Sequence, residues 1–319
     1  MSNIASYYGV KSYILQRHYK KKVSGFNQWE QKYHAEDYLV YPQNIGEYIS
    51  IDEVSLSKGE LYTYLTNKKG RGKKGTLIAT VSSTKSQDII DVILKIPLEK
   101  RKLVKEITLD MASNMNLVAK ICFPNANIVT DRFHVVKLVT EALQHLRIDY
   151  RWEEIKKENQ AIKEAKDKGT KHIPFTFSNG DSPKQLLSRS RYIITKTPEK
   201  WTKTQKERAK LLFEFYPKLE EAYKHCMEFR AIYETTSKNI AKQRIEHWIE
   251  ETRNLNFSHF YIASNSIKYH LETIINFFNN RNTNANAESF NAKIKLFRAN
   301  LRGVTDIKFF LFRLEKLFA

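Results

Sequence analysis

The chain has 319 residues, 41% of them hydrophobic and 28% charged, so it can bury a sizeable core and is long enough for two domains or one domain with a large insert. Ten glycines and seven prolines are too few for a turn-rich all-β fold or for extensive disorder. The net charge of +19 points to a polyanionic partner, with nucleic acid first and an anionic membrane surface second.

The two cysteines, Cys122 and Cys226, lie far apart without a C-x-x-C motif, which excludes a cysteine zinc cluster within this chain and gives no disulfide framework. No apolar run reaches the roughly 18 residues that a membrane-spanning helix needs, so we predict no span. The first residues lack the basic start and apolar stretch of a signal peptide. We therefore expect a cytoplasmic, nucleoid-associated protein.

Residues 1–46 are aromatic and basic and are predicted to form an N-terminal arm or linker. Residues 47–135 then alternate strand and helix signals in the order β-β-β-α-β-α-β. The strand segments are EYISIDEVSL, ELYTYLTNK, GTLIATVSS, VKEITLDM and ANIVTD. The helical segments are SQDIIDVILKIPLEKRKLV, which Pro97 should end or kink, and SNMNLVAKICF, which Pro124 should stop. Three strands before the first helix predict a ribonuclease-H-like mixed sheet rather than a strictly alternating doubly wound one.

Residues 136–265 show helical patterning almost throughout and carry many charges. A helical block of this length cannot be a loop of the sheet domain, so we predict an inserted α-helical domain. Residues 266–319 return to the sheet domain as its last part, with the helix that contains Glu288 and a final basic helix. The predicted fold class is therefore α/β, with a large all-α insertion before the last catalytic helix.

Two aspartates stand on the more polar faces of mostly apolar strands. Asp52 shares a face of the first predicted strand with Ser50, and Asp110 shares a face of the fourth with Thr108. These two strands are neighbours in a ribonuclease-H-like sheet, so the aspartates should lie side by side. Taken singly, each could be a turn or capping residue. Together they favour a cation site, since adjacent carboxylates repel each other, and oxygen ligands favour Mg²⁺ or Mn²⁺ over Zn²⁺.

The helix that contains Glu288 has one apolar and one polar arc. The apolar arc contains Phe290, Ile294, Phe297 and Leu301. The opposite arc contains Glu288, Asn291, Ala292, Lys295, Ala299 and Arg302. The polar arc could be a solvated surface or could face metal and DNA, and the spacing alone leaves both open.

Four segments in this order resemble the DDE transposases of bacterial insertion sequences, in particular the ISL-three family. They are IDEVSL, TLDMASNM, FPNANIVTDRFHVVK and NANAESFNAKIKLFRANLRG. The resemblance covers about 47–138 and 264–318, and the helical middle is similar only in character. It implies a ribonuclease-H-like catalytic core in which Asp52, Asp110 and Glu288 are the catalytic carboxylates and the ligands of Mg²⁺ or Mn²⁺, with two ions.

The resemblance also implies an activity: metal-dependent cleavage at insertion-sequence ends and transfer of the 3′-hydroxyl into target DNA. Two alternatives stay open, a ribonuclease-H-like nuclease without strand transfer and an inactive transposase-derived DNA-binding protein. The implied partners are element-end and target DNA and, on DNA, a second copy of the chain. Relatives carry an N-terminal zinc ribbon and helix–turn–helix domain, so we also expect a companion DNA-binding polypeptide.

Other polar residues surround the proposed carboxylates or form basic surfaces. Asp131, His134 and Asn114 are predicted to support the metal ligands, although capping or core roles fit equally well. The segment GRGKKG over residues 70–75, in the basic hairpin tip KKGRGKK, matches G-x-G-x-x-G, but a strand rather than a helix follows, so a dinucleotide site is disfavoured. It can instead track a DNA backbone or be a solvated turn. The predicted DNA-binding residues are Lys68, Lys69, Arg71, Lys73, Lys74, Arg132, Asn291, Lys293, Lys295, Arg298 and Arg302.

Overall fold

A computed structural model describes residues 2–56, 59–300 and 306–319. The chain divides into two compact units. The first, here the sheet unit, joins Met1–Asp131 to Asn282–Ala319, and the second, the helical unit, is Arg132–Arg281. The predicted insertion over 136–265 lies inside the helical unit.

The sheet unit contains six strands and seven α-helices among its described residues. The strands are β1 (Tyr38–Val40), β2 (Tyr48–Ser55), β3 (Leu61–Asn67), β4 (Leu77–Val81), β5 (Glu106–Leu109) and β6 (Asn127–Thr130). The helices are α1 (Ser2–Tyr7), α2 (Ser12–His18), α3 (Ser86–Ile93), α4 (Leu98–Arg101), α5 (Ser113–Cys122), α14 (Ala285–Asn300) and α15 (Ile307–Phe318). The long helix predicted from residue 86 is divided at Pro97, which cannot donate a backbone hydrogen bond.

The strands form one mixed sheet in the order β1-β4-β3-β2-β5-β6. The pairs β1–β4, β3–β4 and β2–β3 are antiparallel, whereas β2–β5 and β5–β6 are parallel. Strand β1 lies in the segment predicted as an arm, and its three residues are too short to show a period-2 pattern. The expected contact between the first and fourth predicted strands is observed as the β2–β5 pair.

Alternating side chains give the sheet two apolar faces. Ile49 and Ile51 of β2 pack with Ile107 and Leu109 of β5 on one face, which α3 and α5 cover. On the other face the core joins side chains of β3 and β4 to α14 and α15. This second core includes Tyr62, Tyr64, Leu77, Phe290, Ile294, Phe310 and Leu314. The predicted α/β class is confirmed: the mixed sheet and the separate helical unit are compatible with a ribonuclease-H-like core carrying a helical insertion.

The helical unit contains eight α-helices among its described residues. They are α6 (Arg132–Asp167), α7 (Pro183–Arg189), α8 (Lys203–Phe215), α9 (Pro217–Ile232), α10 (Lys238–Asn254), α11 (Ser258–Tyr269), α12 (Leu271–Ile275) and α13 (Phe277–Asn280). Its core includes Trp248, whose ring stacks on His225 at 4.5 Å between centroids. In the described part of the chain, no helix combines the length and the apolar character needed to cross a membrane.

Candidate metal and nucleic-acid site

The register of the parallel strands places the two predicted aspartates at one level of the sheet. Ser50 of β2 pairs with Thr108 of β5. Two residues further along each chain, the same offset places Asp52 level with Asp110. Asp110 directly follows β5, whereas Asp52 lies within β2, three residues before the strand ends. The two aspartates therefore occupy level positions on neighbouring parallel strands, as the strand order predicts.

A third aspartate continues this row on the next strand. Leu109 of β5 pairs with Thr130 of β6. The residues that follow are Asp110 and Asp131, so the same register places them level with each other. Asp131 was predicted only to support the metal ligands, because its level position beside Asp110 depends on the β5–β6 register, which residue patterning does not show.

Asp52 is held by the helix that contains Glu288. The Asn291 side-chain amide of α14 donates a hydrogen bond of 2.6 Å to Asp52 Oδ2. The backbone N–H of Glu53 donates to Asp52 Oδ1 at 2.9 Å. Asn291 lies about one turn beyond Glu288, so this contact fixes the start of α14 beside β2.

Asp110 is half-buried, and its Oδ1 accepts a hydrogen bond of 2.8 Å from the backbone N–H of Ala112. Burial, and then the negative charge of Asp110, raise the pKa of the Glu53 carboxyl, which a hydrogen bond from Asn114 opposes. Asn114 therefore lies beside the Glu53 carboxylate, and its support of the metal ligands stays a prediction. It also donates to the Thr84 carbonyl at 3.1 Å.

Asp131 is a buried carboxylate with one oxygen left unsatisfied. Its side chain is 1% exposed, and Oδ1 accepts a hydrogen bond of 3.2 Å from the backbone N–H of Asn284. Within the described part of the chain, Oδ2 has no hydrogen-bond partner. An oxygen of Asp131 and an oxygen of Glu288 lie within 4.8 Å of each other. The fold thus brings Glu288 to β6, across more than 150 residues of sequence.

These residues fit a hard divalent cation. A buried carboxylate oxygen without a donor is costly, and an ion is one of the few groups that can satisfy it. Asp52, Asp110, Asp131 and Glu288 all offer oxygen, which suits Mg²⁺ or Mn²⁺. Of these four, Asp131 and Glu288 have ligand atoms within 4.8 Å of each other, and among the described residues Asp52 and Asp110 do not belong to that group.

A buried polar network lies beneath the row and anchors the segment that leads into α14. The Lys68 ammonium contacts Thr108 Oγ1 and lies 3.5 Å from Glu106 Oε1. Asn282 donates to the same Glu106 oxygen at 2.9 Å, and Asn286 donates to the Lys68 carbonyl at 3.4 Å. Burial lowers the pKa of Lys68, and the charge of Glu106 opposes that shift.

The sequence did not show that Lys68, Glu106 and Asn282 form a buried network. Lys68 was predicted to contact DNA from the hairpin tip, yet it is only 8% exposed and its charge is directed to Glu106. We therefore leave Lys68 out of the DNA surface. Glu106 gave one usable signal, because a glutamate inside an otherwise apolar strand needs a partner when it is buried.

The remaining basic residues of the tip are exposed and lie next to α14. These residues are Lys69, Arg71, Lys73 and Lys74. Lys293 donates a hydrogen bond of 3.0 Å to the Gly72 carbonyl, which ties α14 to the tip, and Lys295 is exposed on the same helix. We call Lys69, Arg71, Lys73, Lys74, Lys293 and Lys295 the basic surface.

Three other predicted DNA contacts have different surroundings. Arg298 is 7% exposed and pairs with Glu60, with Nε 3.0 Å from Oε2, so its position differs from the surface role predicted for it. Arg302 lies outside the described residues. Arg132, exposed, begins the helical unit, and the half-buried His134 follows in the first turn of α6.

Arg132 lines a cleft of about 900 Å³ within the helical unit. The charged residues of its lining are Arg132, Lys137, Arg191, Lys200, Arg230, Glu141, Glu199 and Glu234. Basic side chains outnumber acidic ones there, but both signs are present, so the lining by itself does not indicate one kind of ligand.

Comparisons with known proteins agree with the geometry. Residues 49–314 match the family model of the ISL-three DDE transposases, described as "Transposase". The transposase for insertion sequence element IS1001 of Bordetella parapertussis is 21% identical over 275 residues, which cover 85% of this chain and 61% of that relative. The chain thus spans less than two thirds of the relative's length. No solved structure matches the chain significantly. The match to the family model extends over most of the sequence, and the chain belongs to the ISL-three family of DDE transposases.

Proposed function

We propose that this transposase cleaves DNA at insertion-sequence ends and joins the released 3′-hydroxyl to target DNA, in a reaction that depends on Mg²⁺ or Mn²⁺. Its family makes DNA the partner and DNA cutting or transfer the general activity. The observation that carries the finer proposal is the level placement of Asp52 and Asp110, with the Glu288 helix attached to Asp52 through Asn291 at 2.6 Å.

In this proposal Asp52, Asp110 and Glu288 would hold the cation. The bound ion, or a pair of ions, would supply an activated nucleophile and stabilise the charge that develops on the phosphate. The protein supplies geometry: the Asn291 amide orients Asp52, and the Ala112 N–H orients Asp110. Fixed donors of this kind reduce the reorganisation that the reaction needs.

The basic surface would bind the DNA backbone beside this edge. The Lys293 contact with Gly72 keeps the tip and α14 together, so one phosphate track can run along both. Phosphate contacts of this kind position DNA without reading its sequence.

The test is a Mg²⁺-dependent cleavage and strand-transfer assay on a duplex containing the inverted repeat that flanks the gene. We expect Asp52→Asn and Asp110→Asn to lower cleavage at least about 100-fold, because each removes a charge that the cation needs. Asp88→Asn, at an exposed aspartate of the same unit, is the matched control and should cleave as the parent does. Undiminished cleavage by Asp52→Asn would refute the carboxylate assignment.

The products separate the alternatives. Joined products identify a transposase reaction, cut products without joined ones identify a nuclease, and specific DNA binding without either product identifies an inactive derivative. Assembly of two copies on DNA and recruitment of a companion DNA-binding polypeptide stay predictions, which sedimentation with the same duplex would measure.

A further inference from the structure

The strongest unexplained group in the sheet unit is the carboxylate of Asp131. It is 1% exposed, and Oδ1 accepts only a backbone N–H, at 3.2 Å. Oδ2 is buried without a hydrogen-bond partner among the described residues. A buried oxygen of an ionised carboxylate without a hydrogen-bond donor destabilises the fold unless its surroundings supply a compensating interaction.

Among the described residues of the sheet unit, no side-chain cation forms an ion pair with Asp131. Burial lowers the pKa of Lys68, and the charges of Glu106 and then Asp131 oppose that shift, so Lys68 lies within electrostatic range of Asp131. The ammonium group of the buried Lys68 contacts Thr108 and Glu106 instead. What lies close instead is another carboxylate, since an oxygen of Glu288 is within 4.8 Å of an oxygen of Asp131. Two carboxylates at this separation repel each other unless a cation lies between them.

The position of Asp131 also fits a ligand role. It follows β6 at the level where Asp110 follows β5, so it extends the row of strand-end aspartates by one strand. Its backbone is fixed by the hydrogen bond from the Asp131 N–H to the Leu109 carbonyl at 2.8 Å. A ligand held in this way needs little reordering when an ion binds.

We propose that Asp131 is a direct ligand of a divalent cation, which it shares with Glu288. This proposal depends on the metal-dependent function proposed above, and it adds Asp131 to that site as a fourth carboxylate. Glu288 then binds the ion from the helix side and Asp131 from the sheet side. The ion would be hard, Mg²⁺ or Mn²⁺, because both carboxylates offer oxygen.

The first test measures Mn²⁺ binding to the full chain without DNA, by electron paramagnetic resonance. We expect Asp131→Asn to weaken Mn²⁺ binding at least about 10-fold, because the amide loses the charge that the ion needs while it can still accept the Asn284 N–H. Asp88→Asn should bind Mn²⁺ as the parent does. Equal affinity in Asp131→Asn and the parent overturns the proposal.

A second test distinguishes a direct ligand from a residue that only positions one. Asp131→Cys replaces an oxygen donor by a thiolate, which favours soft ions. With Cd²⁺ it should show the ultraviolet band of a cadmium–thiolate bond. Asp88→Cys and the parent chain, whose Cys122 and Cys226 are buried, provide the background. A band no stronger than in Asp88→Cys means that Asp131 does not touch the ion.

A third measurement needs no substitution and so does not depend on the folding of a variant. Fe²⁺ bound in place of Mg²⁺, with ascorbate and peroxide, cuts the backbone close to the ion. We expect cuts near residues 131 and 288, and cuts elsewhere only would contradict the assignment. Because all three tests use metal alone, they can fail while DNA cleavage is intact, or succeed while no DNA is cut.

Discussion

At the scale of single residues, the candidate site includes a buried ion pair between Lys68 and Glu106. Lys68 and Glu106 are 8% and 3% exposed, and their charged atoms lie 3.5 Å apart. Asn282 also donates a hydrogen bond to Glu106, so the Lys68–Glu106 ion pair is linked to the segment that leads into α14. A buried pair of this kind contributes little net stability, but removing one partner leaves the other charge uncompensated.

We therefore expect Glu106→Gln to destabilise the sheet unit by about 3 kcal/mol, the cost of an unpaired buried ammonium. The double variant Lys68→Met/Glu106→Gln should recover part of that loss. The measurement is urea unfolding followed by fluorescence. Glu47→Gln is the matched control: it breaks an exposed pair, Lys105 to Glu47 at 2.6 Å, and should leave the free energy of unfolding close to that of the parent. Equal losses in both single variants would show that burial of the Lys68 pair has no special effect.

At the scale of elements, the β3–β4 hairpin tip and α14 form one basic surface. The turn uses left-handed backbone at Arg71, Gly72 and Gly75, with φ of 50°, 69° and 84°. Gly70 approaches the opposite side of the turn so closely that a Cβ there would lie 2.7 Å from Thr76 Cα. The tip is therefore a compact turn, and its charges have defined positions rather than those of a loose loop.

Replacing Lys73 and Lys74 by glutamine should weaken DNA binding most at low salt and leave a shallower dependence of affinity on salt. Each lost phosphate contact reduces the slope of log affinity against log salt by about 0.9. Fluorescence anisotropy over a salt series measures that slope. The control pair Lys85→Gln and Lys120→Gln removes two exposed charges away from the tip, and a slope that falls equally in both pairs would indicate non-specific charge loss.

At the scale of the whole molecule, the two units have separate hydrophobic cores, and the stability of the helical unit should depend on pH through a buried histidine. The helical unit buries His225, whose ring stacks on Trp248 and whose Nε2 lies 2.7 Å from Thr252 Oγ1. Thr252 itself donates to the Trp248 carbonyl at 2.8 Å, so His225 is the donor in the contact between them. Burial lowers the pKa of His225 from 6.5 to about 4, and the histidine stays neutral inside the fold.

This histidine should make the helical unit less stable in acid. A histidine with a lowered folded pKa binds more protons when unfolded, so its contribution is complete above pH 6.5 and is lost as the pH falls towards 4. The two values limit the loss to about 3 kcal/mol. Thermal unfolding of the full chain between pH 7 and pH 4.5 tests this. In His225→Gln the unfolding temperature should fall less steeply as the pH decreases. An unchanged pH dependence of unfolding would exclude His225 as its source.

The alternation of apolar residues in β2 and β5 was enough to place Asp52 and Asp110 on polar faces, and the strand order made those strands neighbours. Periodicity also predicted the buried arc of α14, where Phe290 and Ile294 are fully buried. Together with four short motifs, local patterning therefore predicted the α/β class and the family, and it proposed Asp52 and Asp110 as site residues. These features depend on near neighbours in the chain, which a single sequence contains.

Only the tertiary structure decided where the longer-range contacts lie. The β1 strand forms through pairing with β4, and Lys68 is buried with Glu106, to which Asn282 donates a hydrogen bond from another segment. Charge patterning cannot distinguish a buried lysine from an exposed one. The closeness of Asp131 and Glu288 depends on the β5–β6 register and on the return of the chain after the helical unit. The sequence by itself thus determined the kinds of residue at the site, and the packing of distant segments decided which of them meet.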